Sequence, residues 1–188
     1  MPELWIKSKI RNIYALKGVY SVWLLLEFME GIFWAFWLVN VSDQKLTFFH
    51  ICLALASFKL ICFFLEKPTG RLADVFGRKL VTCTGILLLS LGFFMYAFAE
   101  LKPLLYVSLS VAALGWTCLN GAKQAWFLNR GNDVIANFDS RFFFIDLEFS
   151  RRLALILGAI VGKTANAISY KHPWYLVGIA GMLTLAIA

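Results

Sequence analysis

Six long apolar runs, separated by short polar segments, dominate the 188-residue chain. A helix needs about 20 apolar residues to cross the hydrocarbon core of a bilayer, and most of the runs reach that length. The pattern therefore predicts an all-α membrane protein with six transmembrane helices in a domain covering 17–188, after a cytoplasmic amino-terminal segment at 1–16. The last run is shorter than a full span, so we expect a chain truncated in its sixth helix. The runs are approximately Lys17–Val39, Thr47–Leu65, Leu80–Ala99, Leu104–Phe127, Phe149–Ile168 and Trp174–Ala188.

Composition agrees with a lipid environment. Hydrophobic residues make up 61% of the chain and the mean hydropathy is +0.74, whereas soluble domains are about half apolar. The first run is too long, and its flank too mixed in polarity, for a cleavable signal peptide. The four cysteines lie inside apolar runs without paired spacing, which favours small buried side chains over a metal site. We therefore expect no metal and no cofactor.

Lysine and arginine are sorted by side of the membrane. The amino-terminal segment and the second and fourth connections carry twelve of them, and the opposite connections carry three. Because basic residues accumulate in cytoplasmic flanks, the amino terminus is predicted to be cytoplasmic. The net charge of +7 then reflects topology, and no nucleic acid partner is expected. The twelve are Lys7, Lys9, Arg11, Lys17, Lys67, Arg71, Arg78, Lys79, Arg130, Arg141, Arg151 and Arg152, and the three are Lys45, Lys102 and Lys171.

The polar segment Glu66–Lys79 carries the most specific motif. From Gly70 it reads Gly-x3-Asp-x2-Gly-Arg-Lys, preceded by Glu-x-Pro-Thr. We interpret it as a loop in which Pro68 ends the second helix, while Gly70 and Gly77 allow a tight reversal. Asp74 suits the amides at a helix start, and the basic pair that follows suits anionic headgroups.

The motif resembles the cytoplasmic loop between the second and third helices of major facilitator superfamily transporters, and its leading residues resemble one bacterial branch. The resemblance implies a half-transporter with two partners besides the bilayer: a small-molecule substrate, and a second six-helix half supplied by a missing carboxy-terminal segment, a separate chain or a second copy. It also implies a bacterial inner membrane and a conformational latch, whose charges pair with neighbouring helix ends in one access state and release in the other. The latch residues would be Gly70, Asp74, Gly77, Arg78 and Lys79.

Several ionisable residues fall inside the apolar runs, where they usually face a cavity and mark a substrate or proton path. Trp23, Glu27, Glu30 and Trp34 share one stripe of the first helix, at spacings of four, three and four. Glu27 follows Lys17 by ten residues and Lys59 precedes Lys67 by eight, which corresponds to depths of about 15 and 12 Å. We therefore expect Glu27 and Lys59 to meet.

The fourth and fifth runs add Asn120, Lys123, Gln124, Arg152 and Lys163 to this predicted path. An excess of lysine over glutamate suggests a cavity for an anionic group, or lysines that pair with acids of another half. Alternatively, Lys123 and Lys163 snorkel to an interface.

Two function classes remain. The first is a secondary active transporter that works by alternating access, with proton coupling through Glu27 or Glu30 as a further hypothesis. The alternative is a non-transporting six-helix assembly or scaffold subunit. An enzyme is not expected, because His50 and His172 are far apart and no nucleophile and base are paired.

Overall fold

The computed structural model describes residues 16–43, 47–98, 102–135, 140–169 and 171–188. Within them the chain forms six helices and no strand: α1 (Lys17–Asp43), α2 (Phe48–Phe76), α3 (Arg78–Tyr96), α4 (Lys102–Val134), α5 (Ser140–Ile168) and α6 (His172–Ile187). The predicted all-α architecture is confirmed. Of the predicted segment 1–16, all but Leu16 lies outside the described residues.

Four stretches of the described residues are long and apolar enough to cross a membrane: Lys17–Ala35, Phe48–Phe76, Arg78–Tyr96 and Pro103–Val134. The sixth helix is apolar but has only 16 residues. The fifth carries several charged residues in its first half. The chain is thus an all-α, multi-pass membrane protein, and its crossing by all six helices stays a prediction.

The helices extend beyond the apolar runs at the predicted cytoplasmic side. The second helix continues through Pro68 to Phe76, so the predicted helix end at Pro68 is wrong. The predicted connection 128–148 is likewise mostly helical, because α4 continues to Val134 and α5 begins at Ser140. A helix of 29 residues is about 43 Å long, whereas the hydrocarbon core is about 30 Å thick. The charged turns therefore lie outside the core and remain helical.

Two groups of helices pack through small residues. One consists of α1 with α5 and α6, and the other of α3 with α4 and α6, while α2 packs on α4. At the crossing of α1 and α5, a Cβ atom added to Gly31 would collide with the backbone of Leu155, and one added to Gly158 with the backbone of Phe28. These two glycines therefore let the helix backbones touch, as small residues do between membrane helices.

Four helix ends meet around a cleft of about 510 Å³. Its lining includes Lys17 at the start of α1, Lys79 at the start of α3, Arg130 near the end of α4 and Ala188 after α6. These ends belong to one side of the membrane in the predicted topology. The helix directions are therefore consistent with the sorting of basic residues.

Candidate functional site

A buried carboxylate on α1 joins three helices. The side chain of Glu27 is only 2% exposed. Its Oε1 accepts a hydrogen bond of 3.3 Å from Nζ of Lys123 on α4, and its Oε2 accepts one of 2.8 Å from Nε of Arg151 on α5. Both contacts are ion pairs. We call Glu27, Lys123 and Arg151 the central ion cluster.

Helix geometry explains why these three residues meet. Glu27 is ten residues from the start of α1, Lys123 eleven from the end of α4, and Arg151 eleven from the start of α5. These positions lie about 15 to 17 Å along their helices from ends on one side of the bundle. The charges therefore share one level of the bundle.

The predicted pair of Glu27 and Lys59 is wrong. Because α2 continues to Phe76, Lys59 is seventeen residues from the carboxy-terminal end of its helix, or about 25 Å rather than 12 Å. Trp34 is also seventeen residues from the start of α1. Lys59 accordingly lies at the level of Trp34, with its Nζ 6.0 Å from the indole ring centre.

Lys123 points into the bundle rather than toward an interface. Its Nζ lies 4.5 Å from the ring centre of Trp23 while it bonds Glu27. Trp23 in turn packs on Phe127, with ring centres 5.2 Å apart. The ammonium therefore gains a carboxylate and an aromatic face at once. Along the predicted stripe of α1, Trp23 and Glu27 are buried, whereas Glu30 is half-buried.

Arg151 is the site residue that sequence reasoning missed, because it was counted only among the cytoplasmic anchors. It also donates from Nη1 to Glu148 at 3.2 Å. The predicted Arg152 instead faces outward, with 73% of its side chain exposed, and pairs with Glu148 at 3.0 Å. The sequence prediction began the fifth helix at Phe149, whereas it begins at Ser140. With the correct start, a search for cations at the depth of Glu27 would have found Arg151.

The other predicted path residues lie apart from the central ion cluster. Asn120 and Gln124 are exposed on α4, on either side of Lys123 in the sequence. Lys163 is exposed five residues before the end of α5, where snorkelling is possible. The structure thus brings together Glu27 and Lys123 of the predicted set. Glu30, one turn along α1, is close enough to interact electrostatically with Glu27, Lys123 and Arg151, and an exposed polar surface lies beside them.

The latch motif is almost entirely helical. Gly77, with φ of +94°, is the one non-helical residue between α2 and α3. Gly70 lies inside α2, where an added Cβ would meet nothing within 4 Å, so the predicted reversal at Gly70 is wrong. Asp74 pairs with Arg78 across the joint at 3.9 Å, and both side chains are exposed.

Two further motif residues have defined places. Lys79 is exposed and lines the cleft between the four helix ends. Thr69 is buried, and its hydroxyl donates to the carbonyl of Leu65 at 2.8 Å and to that of Thr117 on α4 at 3.2 Å. The helical turn after Pro68 is therefore tied to α4.

Comparison with known proteins found similarity to a bacterial resistance protein. The chain is 26% identical, over 152 residues, to the quinolone resistance protein NorA of Staphylococcus aureus, including that of strain COL. The match covers 80% of this chain and 38% of the relative, so the chain spans less than two-fifths of its length. No protein-family profile matches the chain. Among the described residues, no group of side chains is suited to hold a metal ion.

Proposed function

We propose that this chain is the amino-terminal six-helix half of a secondary active transporter of the major facilitator type. The observation that carries the proposal is the central ion cluster: a carboxylate that is 2% exposed, held by cations of two other helices. Charges at membrane depth are costly and usually serve transport. Similarity to a resistance protein over 38% of its length supports the same function, since export of a small molecule is a direct route to resistance.

The cluster suggests how access could alternate. Glu27 bridges two helices that belong to different packing groups, α4 and α5. Relative movement of α4 and α5 would change which cation the carboxylate of Glu27 binds. Protonation of Glu27, or of Glu30 one turn away, would reduce the negative charge that holds Lys123 and Arg151. The motif charges Asp74, Arg78 and Lys79 would act as the latch at the cytoplasmic end.

A second six-helix half completes the proposal. Asn120 and Gln124 are exposed beside Lys123, and in a lone chain these amides would face lipid. Buried polar groups without partners cost about 1 to 3 kcal/mol each. In transporters with repeated halves the substrate lies at the interface between the halves. The polar surface would therefore face a small-molecule substrate and the other half.

Reconstitution tests the proposal. The purified chain is placed in liposomes, its oligomeric state is fixed by crosslinking, and uptake of a fluorescent quinolone is followed under a pH gradient. We expect no saturable uptake by the monomer, and uptake sensitive to Glu27→Gln once a second half is present. Saturable uptake by a proven monomer would refute the half-transporter. Absence of uptake with every candidate half would favour the scaffold subunit.

Orientation in a bacterial inner membrane is tested separately. In a chain lacking Cys52, Cys62, Cys83 and Cys118, a cysteine replacing His172 should react with an impermeant thiol reagent from outside. A cysteine replacing Asn132 should react only after the membrane is opened. The reverse pattern would contradict a cytoplasmic amino terminus.

A further inference from the structure

Lys59 is a cation at membrane depth without a carboxylate partner in the described part of the chain. Lys123 and Arg151 are both held by Glu27, whereas Lys59 is exposed and forms no ion pair there. It is eleven residues from the outer end of α2 and seventeen from the other, or about 16 and 25 Å. Its side chain is too short to bring the ammonium group to the membrane surface at either end of α2.

An aromatic wall surrounds this ammonium group. Its Nζ lies 6.0 Å from the ring centre of Trp34 on α1 and 5.8 Å from that of Phe58 on α2. Trp116 on α4 contacts both rings edge-on, at 6.5 and 6.3 Å. Rings from three helices thus form one connected cluster, in which Phe58 is buried and Trp34 is exposed. We call this cluster the aromatic wall (Trp34, Phe58 and Trp116).

The wall and the lysine share an open side. Trp34 is 44% exposed and Lys59 is exposed, so an indole and an ammonium group are both accessible. Contact with the ring faces satisfies the positive charge only in part. The remaining N–H groups of Lys59 still need an acceptor, because a desolvated donor without a partner is costly.

We propose that Lys59 and the aromatic wall form a binding subsite for a planar aromatic anion. The ring would stack against Trp34, and the carboxylate or sulfonate would accept hydrogen bonds from Nζ of Lys59. The subsite rests on the proposed transport function, in which it lies about 10 Å outward from Glu27 along α1. It defines a substrate class, whereas the cations of the central ion cluster already have a carboxylate partner within the chain.

The chemistry excludes other simple occupants. A cationic aromatic molecule would be repelled by the ammonium group. A neutral apolar molecule would cover Lys59 without supplying an acceptor, which leaves a charge desolvated. A non-aromatic anion would lose the stacking that indole rings offer at low entropic cost. Only an anion with a flat ring matches both parts of the surface.

Direct binding tests the subsite without any need for flux. The full chain in lipid nanodiscs is dialysed against radiolabelled 1-naphthoate, with 1-naphthylmethylamine and cyclohexanecarboxylate as matched probes. We expect naphthoate to bind, and both other probes to bind at least about tenfold more weakly, which corresponds to 1.4 kcal/mol. Equal binding of the amine would overturn the proposal, and so would the absence of naphthoate binding.

Variants locate the binding. Lys59→Met and Trp34→Leu should each weaken naphthoate binding about tenfold or more, a loss expected for one charged contact or one stacked ring. Lys59→Arg should retain binding, which guards against a misfolded methionine variant. Lys67→Met removes another exposed lysine of α2 and should change nothing. Unchanged binding in Lys59→Met, or loss in Lys67→Met, would refute the assignment.

The outcome is separable from that of the proposed function. Naphthoate binding without quinolone flux would leave the subsite standing and remove the transporter. Quinolone flux, together with naphthoate binding that is unchanged in Lys59→Met, would support the transporter and refute the subsite. If a second half abolishes naphthoate binding, Lys59 pairs with a carboxylate of that half, and the subsite is refuted.

Discussion

Removal of the carboxylate of Glu27 gives the sharpest test of the central ion cluster. Glu27→Gln keeps the shape of the side chain but removes its charge. Arg151 retains Glu148, whereas Lys123, only 13% exposed, loses its one ion pair in the described structure. Breaking a buried ion pair costs about 3 to 5 kcal/mol. We expect the lower end of this range, because Lys123 keeps the face of Trp23.

A double-mutant cycle measures whether the two residues interact. Glu27→Gln and Lys123→Met are made singly and together, and the free energy of unfolding is followed by tryptophan fluorescence in micelles of dodecyl maltoside and SDS. Removing both charges leaves neither group unpaired, so the double variant should be more stable than the sum of the single effects predicts. We expect a coupling of about 2 kcal/mol, within the range found for contacting residues.

Lys59 supplies the matched control. It is a second membrane-level lysine, but it lies over Trp34 rather than beside Glu27. The cycle of Glu27→Gln with Lys59→Met should therefore be additive within about 0.5 kcal/mol. Additivity of Glu27 with Lys123, or coupling of Glu27 with Lys59, would refute the cluster.

Three further predictions concern the helix joint and the helix crossing. Gly77→Ala should lower the free energy of unfolding by about 1 to 3 kcal/mol, because Gly77 has a positive φ. Gly70→Ala should instead stabilise α2 by up to about 1 kcal/mol, because Gly70 is helical and has open space around it. Equal effects of the two variants would contradict the single-residue joint. Gly158→Ala should cost about 1 to 3 kcal/mol by forcing α1 and α5 apart, whereas Gly121→Ala on α4, also in open space, should be neutral or stabilising; thermal unfolding distinguishes them. If the chain acts as the proposed half-transporter, Asp74→Asn should leave unfolding within about 1 kcal/mol of the parent, since its pair is exposed, yet reduce flux by the complete assembly; parental flux would remove the latch role.

The sequence predicted the helical class and the depth of Glu27, because both depend on local pattern and on a fixed rise per residue. It failed where a helix continued beyond its apolar run. Lys59 was measured from Lys67, a residue in the middle of a helix, and the error of nine residues moved it by about 13 Å.

The partners of Glu27 show a different limit. Lys123 and Arg151 reach it only because α4 and α5 both come within side-chain reach of the same part of α1, and that arrangement is a property of helix packing. Arg151 belonged to a charged segment read as a cytoplasmic flank. Nothing in a local pattern separates an arginine that anchors a headgroup from one that turns inward to a carboxylate.

The joint between α2 and α3 consists of Gly77 alone, so the two helices have no flexible linker between them. A longer connection could absorb a shift of one helix without displacing the next. Here any sliding of α2 along its axis must also move the first turn of α3, because only the two backbone dihedrals of Gly77 can change between the helices. The hydrogen bond from the hydroxyl of Thr69 to the carbonyl of Thr117 also links α2 to α4 just before this joint. A rotation at this one glycine would therefore displace the far ends of both helices.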